Sequence, residues 1–184
     1  MPRLFTGLEI PAGIADALAR YQSGLRGARW IDPADFHITL RFLGDVELPL
    51  ADTVHDLLSE ARPRGLLPIT LSGLASFGGE KPRSIIAAVA PCTELDALQA
   101  EHERICRQAG AEPERRKFTP HVTLARLRRE VKAPDVAAYL AEAGFFPPLS
   151  FLSERVALFS ARESKGGGPY VVEAAYPLGG TVTE

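Results

Sequence analysis

The chain is sparing with the residues from which several function classes are built. Among 184 residues there are two cysteines, one methionine, one tryptophan and four histidines. Cys92 and Cys106 stand apart with no C-x-x-C between them, which excludes a disulfide scaffold or a cysteine metal knot. They read as reduced thiols of a cytoplasmic protein. No apolar run approaches the ~20 residues of a membrane span, and the opening MPRLFTGLEIP lacks the apolar core of a secretory signal. No contact with a membrane is expected. The net charge of −2 lacks the general basicity of proteins that grip long nucleic acids through many phosphates. Any nucleic-acid partner should therefore be met locally, at an end or as a small fragment. No Pro/Ser-rich linker or low-complexity tract divides the chain, so residues 1–184 are expected to form one domain of two lobes.

The hydropathy pattern predicts strands at RLFTGLEI, FHITLRFLG, PITLSGLASF, SIIAAVA and HVTLARL, with a closing hairpin of Val156–Ser160 and Tyr170–Tyr176 around Gly166–Gly168. Helical spacing is predicted for four segments. Ile14, Leu18, Tyr21 and Leu25 share one face of the first, and Leu50, Val54, Leu57 and Leu58 one side of the second. Thr93 opens the third through a capping box with Asp96, with Leu95, Leu98, Ile105 and Cys106 on its apolar side. The fourth ends at Gly144. RGARWIDPADF reads as a turn-rich connection. Irregular alternation of strands and helices with hairpins argues for α+β architecture, mostly antiparallel sheet with flanking helices.

One tetrapeptide pattern, His-x-Thr-Leu, occurs at His37–Leu40 and again at His121–Leu124. Side chains alternate along a strand. His37, Thr39 and Arg41 would share one face, backed by Ile38, Leu40 and Phe42. His121 and Thr123 would share a face, backed by Val122 and Leu124. Each copy offers an imidazole beside a hydroxyl over an apolar backing, and a duplicated lobe would account for the echo. The same residues also suit ordinary half-exposed strands. Chemically, cleavage of a phosphodiester needs a base for the attacking oxygen and an acid for the leaving oxygen, on opposite sides of phosphorus. Two histidines facing across a groove supply both near neutral pH, threonine hydroxyls donate to phosphate oxygens, and an arginine balances negative charge.

From Glu114 to Lys132 seven basic residues face two acidic ones, a basic segment in an acidic chain that suits an anionic ligand or a solvated face. Arg126 follows the second motif, but strict alternation puts it on the face opposite His121. It reaches the groove only if the strand bulges, twists or ends there. His55 is assigned to a helix surface, His102 to packing, and Trp30 to the core, although Trp30 and Phe42 have the chemistry to stack on a base. Two histidines without carboxylate or cysteine partners at ligand spacing do not complete a metal site, so no metal and no cofactor are expected.

RWIDPADFHITLRFLGDV and KFTPHVTLARL resemble the two signature strands of the two-histidine (2H) phosphoesterases. Within that superfamily they are most similar to the RNA 2′,3′-cyclic phosphodiesterases, also called 2′-5′ RNA ligases. The early LFTGLEIP, the hairpin SGLASFGGEKPRSIIAAV and a closing S-x(7)-G-x-Y from Ser160 to Tyr170 extend the likeness over nearly the whole chain. The resemblance implies a two-lobed, pseudo-twofold α+β fold with the site in the groove between lobes. It also implies metal-independent opening of a 2′,3′-cyclic phosphate at an RNA 3′ end to a 2′-phosphate. By motif position His37 would be the proton donor, His121 the acceptor that activates water, and Thr39, Thr123 and Arg126 the phosphate-binding residues. The expected partner is an RNA end or nucleotide bearing the cyclic phosphate, and the expected state a monomer. Three other readings stay open: 2′-5′ ligation as the reverse chemistry, action on another small cyclic nucleotide, and a non-catalytic module that binds RNA ends.

Overall fold

In the computed structural model, which describes residues 3–161 and 168–179, nine strands form one sheet with helices packed on one of its faces. The elements run β1 (Arg3–Glu9), α1 (Ala12–Ala19), β2 (Ala28–Trp30), a single 3₁₀ turn at Pro33–Asp35, β3 (His37–Asp45) and α2 (Leu48–Glu60). They continue with β4 (Leu67–Phe77), β5 (Ser84–Val89), α3 (Thr93–Gln108), β6 (His121–Leu127), α4 (Ala133–Ala143), β7 (Leu149–Ser153), β8 (Arg155–Ala161) and β9 (Val171–Pro177). The strand order is β7-β4-β5-β6-β3-β1-β8-β9, with β2 alongside β6, and every pairing is antiparallel. The α+β, antiparallel expectation holds.

The sheet is two half-sheets of four strands joined at their middle. β3 and β6, the two motif strands, are inner neighbours and pair only at Ile38 and Val122. On either side β1 matches β5, β8 matches β4 and β9 matches β7, which gives the two lobes a pseudo-twofold relation. The connections cross over. β4 follows α2 in the first half of the chain but pairs with β5, whereas β8 comes late and pairs with β1.

The apolar backing of both motifs is the centre of the core. Ile38, Leu40, Val122 and Leu124 are almost wholly buried, together with Leu71, Ile85, Leu95 and Leu98. Each such aliphatic side chain contributes about 1.5–3 kcal/mol by leaving water. α3 packs on β3 and beside α2, and α1 and α4 lie over the other half-sheet. With that face filled, the opposite face of the motif strands is left for polar chemistry.

Several local expectations need correction. The connection RGARWIDPADF holds β2 and the 3₁₀ turn, both too short to carry a period, and β7 was not foreseen. α1 stops at Ala19, so Tyr21 and Leu25 lie beyond it; Leu25 is nonetheless buried, and Tyr21 packs on Phe146 with ring centroids 5.1 Å apart. The capping box at Thr93 does not form. Cys92 occupies the cap position, its carbonyl accepts from Asp96 N, and the Thr93 hydroxyl turns to Glu94. Gly166 and Gly167 of the closing loop lie outside the described residues. Both cysteines are free thiols. Among the described residues no helix is long and apolar enough to cross a membrane.

Candidate active site

Antiparallel pairing centred on Ile38 and Val122 sets His37 across from Thr123 and Thr39 across from His121. A single cleft with a cavity of about 60 Å³ is lined by His37, Thr39, His121, Thr123 and Arg126, with Ile31, Asp35 and Tyr170 completing it. The five residues singled out from the sequence are thus brought together.

Each imidazole is oriented by the main chain two residues before it. His37 Nδ1 lies 2.9 Å from the Asp35 carbonyl oxygen and His121 Nδ1 2.6 Å from that of Thr119. A carbonyl only accepts, so Nδ1 carries the hydrogen in both rings and Nε2 is the nitrogen left to the cleft. His37 Nε2 is 3.0 Å from Thr39 Oγ1. Aromatic rings hold the imidazoles in place. Phe5 lies 4.7 Å from His37, Tyr170 stands edge-on to it at 5.0 Å, and Phe77 stands edge-on to His121 at 4.7 Å.

Burial is the main influence on both rings. It pushes His37 down to about 4, partly offset by the Asp35 carbonyl and reinforced by the nearby His121 and Arg126 charges. His121 is lowered by the same desolvation, opposed by the Thr119 carbonyl and reinforced by Arg126. Both rings are therefore neutral near pH 7.

Arg126 reaches the cleft through a β-bulge. Along β6, Thr123 pairs with Ile86 and Ala125 with Ile85, so Leu124 is extra. The extra residue shifts the alternation by one and swings Arg126 to the histidine face. β3 repeats the device: Thr39 pairs with Gly7 and Arg41 with Thr6, which makes Leu40 extra. Gly7 is required there, because a Cβ would stand 2.6 Å from the Ile38 carbonyl oxygen.

This second bulge overturns the expected placement of Arg41. Instead of sharing the His37 face it points to the helix side and is 5% exposed. There it pairs with Glu103 of α3 and donates to the carbonyls of Phe42 and Glu112. Phe42 takes the cleft side in its place, five residues after its histidine as Arg126 is after His121. With Arg3, Phe5, His37, Thr39, Arg126, Ala161 and Tyr170 it lines an adjoining cavity of about 210 Å³.

Sequence reasoning did not single out Asp35 or Tyr170 as cleft residues. Asp35 ties them together: its carbonyl orients His37 while its carboxylate accepts from Tyr170 N at 3.1 Å. The only sequence signal was the closing S-x(7)-G-x-Y pattern that ends on Tyr170. His102 is buried and bonded to Thr6, and His55 is exposed and bonded to the Tyr176 hydroxyl, both away from the cleft. Trp30 packs on Tyr139 of α4. Among the described residues no three His, Cys, Asp or Glu side chains gather into a metal-holding group.

Two half-sheets meeting at paired His-x-Thr strands make this a two-histidine phosphoesterase fold. Residues 11–165 match the family model of the 2′-5′ RNA ligase superfamily, and the chain belongs to that family. It is similar to RNA 2′,3′-cyclic phosphodiesterases of Aeropyrum pernix (36% identical, over 62% of this chain and 65% of that protein) and Bacillus subtilis (30%, over 89% and 86%). The fold is similar to the crystal structures of TT0787 of Thermus thermophilus (TM-score 0.79, 24% identical) and of E. coli LigT complexed with 3′-AMP (TM-score 0.76, 21% identical). Each of these covers 97% of this chain and 99% of the other.

Proposed function

We propose that this chain is a metal-independent RNA 2′,3′-cyclic phosphodiesterase that converts a cyclic phosphate end to a 2′-phosphate. The observation that carries the reading is the pair of imidazoles presenting Nε2 to one small cleft, each beside a threonine hydroxyl and both near Arg126. The names of the similar curated proteins support the same substrate class.

In this mechanism His121 Nε2 takes a proton from water as the water oxygen bonds to phosphorus. The bond from phosphorus to the 3′ oxygen breaks, and His37 Nε2 delivers a proton to that oxygen. Thr39, Thr123 and Arg126 hold the non-bridging oxygens and offset the charge that accumulates on them. Because burial keeps both rings neutral, the anionic substrate itself favours protonation of His37: its negative charge counters the desolvation that holds the ring down. Ligation is the same chemistry with an RNA 5′-hydroxyl in place of water, and at the concentration of water hydrolysis prevails.

All these groups come from one chain, so a monomer suffices, and residues 1–184 act as one two-lobed unit. The free thiols suit a reducing cytoplasm.

The test is incubation of the protein, with EDTA, with a short RNA ending in a 2′,3′-cyclic phosphate, followed by separation of the 2′- and 3′-phosphate products. The expected result is a 2′-phosphate, with each of His37→Ala and His121→Ala slowing turnover by about 10²–10⁴. An undiminished rate in either folded variant would overturn the assignment of that histidine.

A further inference from the structure

Arg29 on β2 is the direct cross-strand partner of Arg126 on β6. Directly opposed residues of an antiparallel pair project from the same face, about 4.5–5.5 Å apart at Cα. That face is the cleft face. Trp30, the next residue, packs on Tyr139 in the helix layer, so Arg29 points away from the helices. Ile31, two residues on from Arg29, lines the cleft itself. Arg29 therefore stands at the rim, one strand outward from the arginine in the cleft.

Like charges directly opposite one another destabilise a sheet. Here neither guanidinium has a carboxylate partner among the described residues, and both are exposed. The positive charge continues past them. Arg128, two residues beyond Arg126 with its N–H donating to the Gly27 carbonyl, is exposed on the same face at the same end of the sheet. The nearby acid, Glu130, lies beside Gly27 and lines a different cleft with Arg26 and Asp135. A row of unpaired cations running outward from the cleft fits a polyanion whose charges are spaced along a chain.

We propose that Arg29, continued by Arg128, is a track for the backbone phosphates of single-stranded RNA next to the reacting end. The proposal rests on the RNA-end reading above and extends it: the preferred substrate is an oligonucleotide, and the track is what distinguishes it from a cyclic mononucleotide. An acidic chain thus recognises RNA through one local basic strip.

The experiment compares kcat/KM for a 2′,3′-cyclic mononucleotide and for a short single-stranded RNA ending in the same cyclic phosphate, across a salt series. The wild type should prefer the RNA and show a steeper fall with salt for it. Arg29→Ala should lower the ratio of RNA to mononucleotide kcat/KM about five- to tenfold and flatten the log–log salt slope for RNA by about 0.7, the value of one single-strand phosphate contact. Arg29→Lys, which keeps the point charge, should restore much of the ratio. Arg104→Ala, an exposed cation on α3, should leave the ratio where it was.

An unchanged ratio and slope in Arg29→Ala would overturn the track while leaving the catalytic reading intact. If the wild type turns over neither substrate, the catalytic reading fails. The track is then judged by fluorescence anisotropy with the same RNA ending in a 3′-phosphate. Weaker binding and a flatter salt slope in Arg29→Ala support it, and identical curves overturn it.

Discussion

The side-chain amide of Gln22 donates to the main-chain oxygen of Leu124 at 3.1 Å, at the one residue of β6 that the pairing with β5 leaves over. The same nitrogen donates to the Ile31 oxygen at 2.7 Å, and Ile31 N in turn donates to Leu124 O at 2.9 Å. Gln22 thus clamps the bulge that turns Arg126 toward the histidines. Gln22→Leu removes the clamp and leaves the Ile31 carbonyl without its side-chain donor. The expected outcome is a loss of about tenfold in kcat/KM in a protein that still folds. In the Arg126→Ala background the same change should add little, because both variants remove one function. A double-mutant cycle on kcat/KM checks this; full additivity would mean that Gln22 acts elsewhere.

The two arginines that follow the motifs should separate cleanly into stability and activity. Arg126→Ala removes a donor from the cleft and should lower kcat by about 10²–10³ with little change in the urea midpoint. Arg41→Ala strands Glu103 beside a buried site and releases the Glu112 carbonyl, so it should cost about 3–5 kcal/mol of stability. The folded fraction of Arg41→Ala should keep its activity. Urea titrations paired with activity per folded molecule decide between this and a catalytic role for Arg41.

The pH profile follows from the direction of the histidine shifts. kcat/KM reports the free enzyme, in which the proposed mechanism requires one proton on the histidine pair. Burial lowers both rings, so the bell for kcat/KM should centre below the usual imidazole value of 6.5 and fall as pH rises past it. Bound phosphate favours the imidazolium, so the bell for kcat should lie at higher pH. Arg126→Ala removes a positive charge that lowers both rings, which should move the kcat/KM bell toward alkaline pH. Initial rates between pH 4 and 9 test all three directions.

His102 gives a stability signature away from the cleft. Burial, with a smaller effect of the Arg64 charge, holds it at about 4, and it shares a 2.7 Å hydrogen bond with buried Thr6. A histidine whose folded value lies below its unfolded value binds fewer protons in the native state. Its contribution is full above about pH 6.5 and is lost as pH falls toward 4, by about 3 kcal/mol at the lower end. His37 acts with the same sign. His102→Gln should flatten the fall of the urea midpoint between pH 6.5 and 4, whereas His55→Gln, at the surface, should leave it as in the wild type.

Period-two alternation read the histidines and threonines correctly and misread the arginine of the first motif, and one cause explains both results. Up to Thr39 and Thr123 the strands are regular, so parity places His37 with Thr39 and His121 with Thr123. Beyond them each strand carries an extra leucine, and parity inverts for Arg41, Phe42, Ala125 and Arg126. A bulge depends on the partner strand, here Gly7 on β1 and Ile85–Ile86 on β5, which local sequence does not display. β2 was invisible because three residues carry no period, yet it sets Arg29 opposite Arg126 and leads into Ile31 of the cleft. Asp35 and Tyr170 meet across 135 residues through one hydrogen bond, a relation that only the folded chain contains. The helices were legible because Val54, Leu58, Leu95 and Leu98 repeat at helical spacing and are all buried.

The crossing of β4 and β8 between the half-sheets has a topological consequence. A chain cut in the turn at residues 78–83 would yield two pieces, each holding one histidine motif and each carrying a strand that belongs in the other's half-sheet, β4 beside β5 and β8 beside β1. Neither piece could close its own half-sheet, so the two histidines can be assembled only by pieces that have already exchanged strands. The linkage that makes the halves inseparable therefore also keeps His37 and His121 on one cleft.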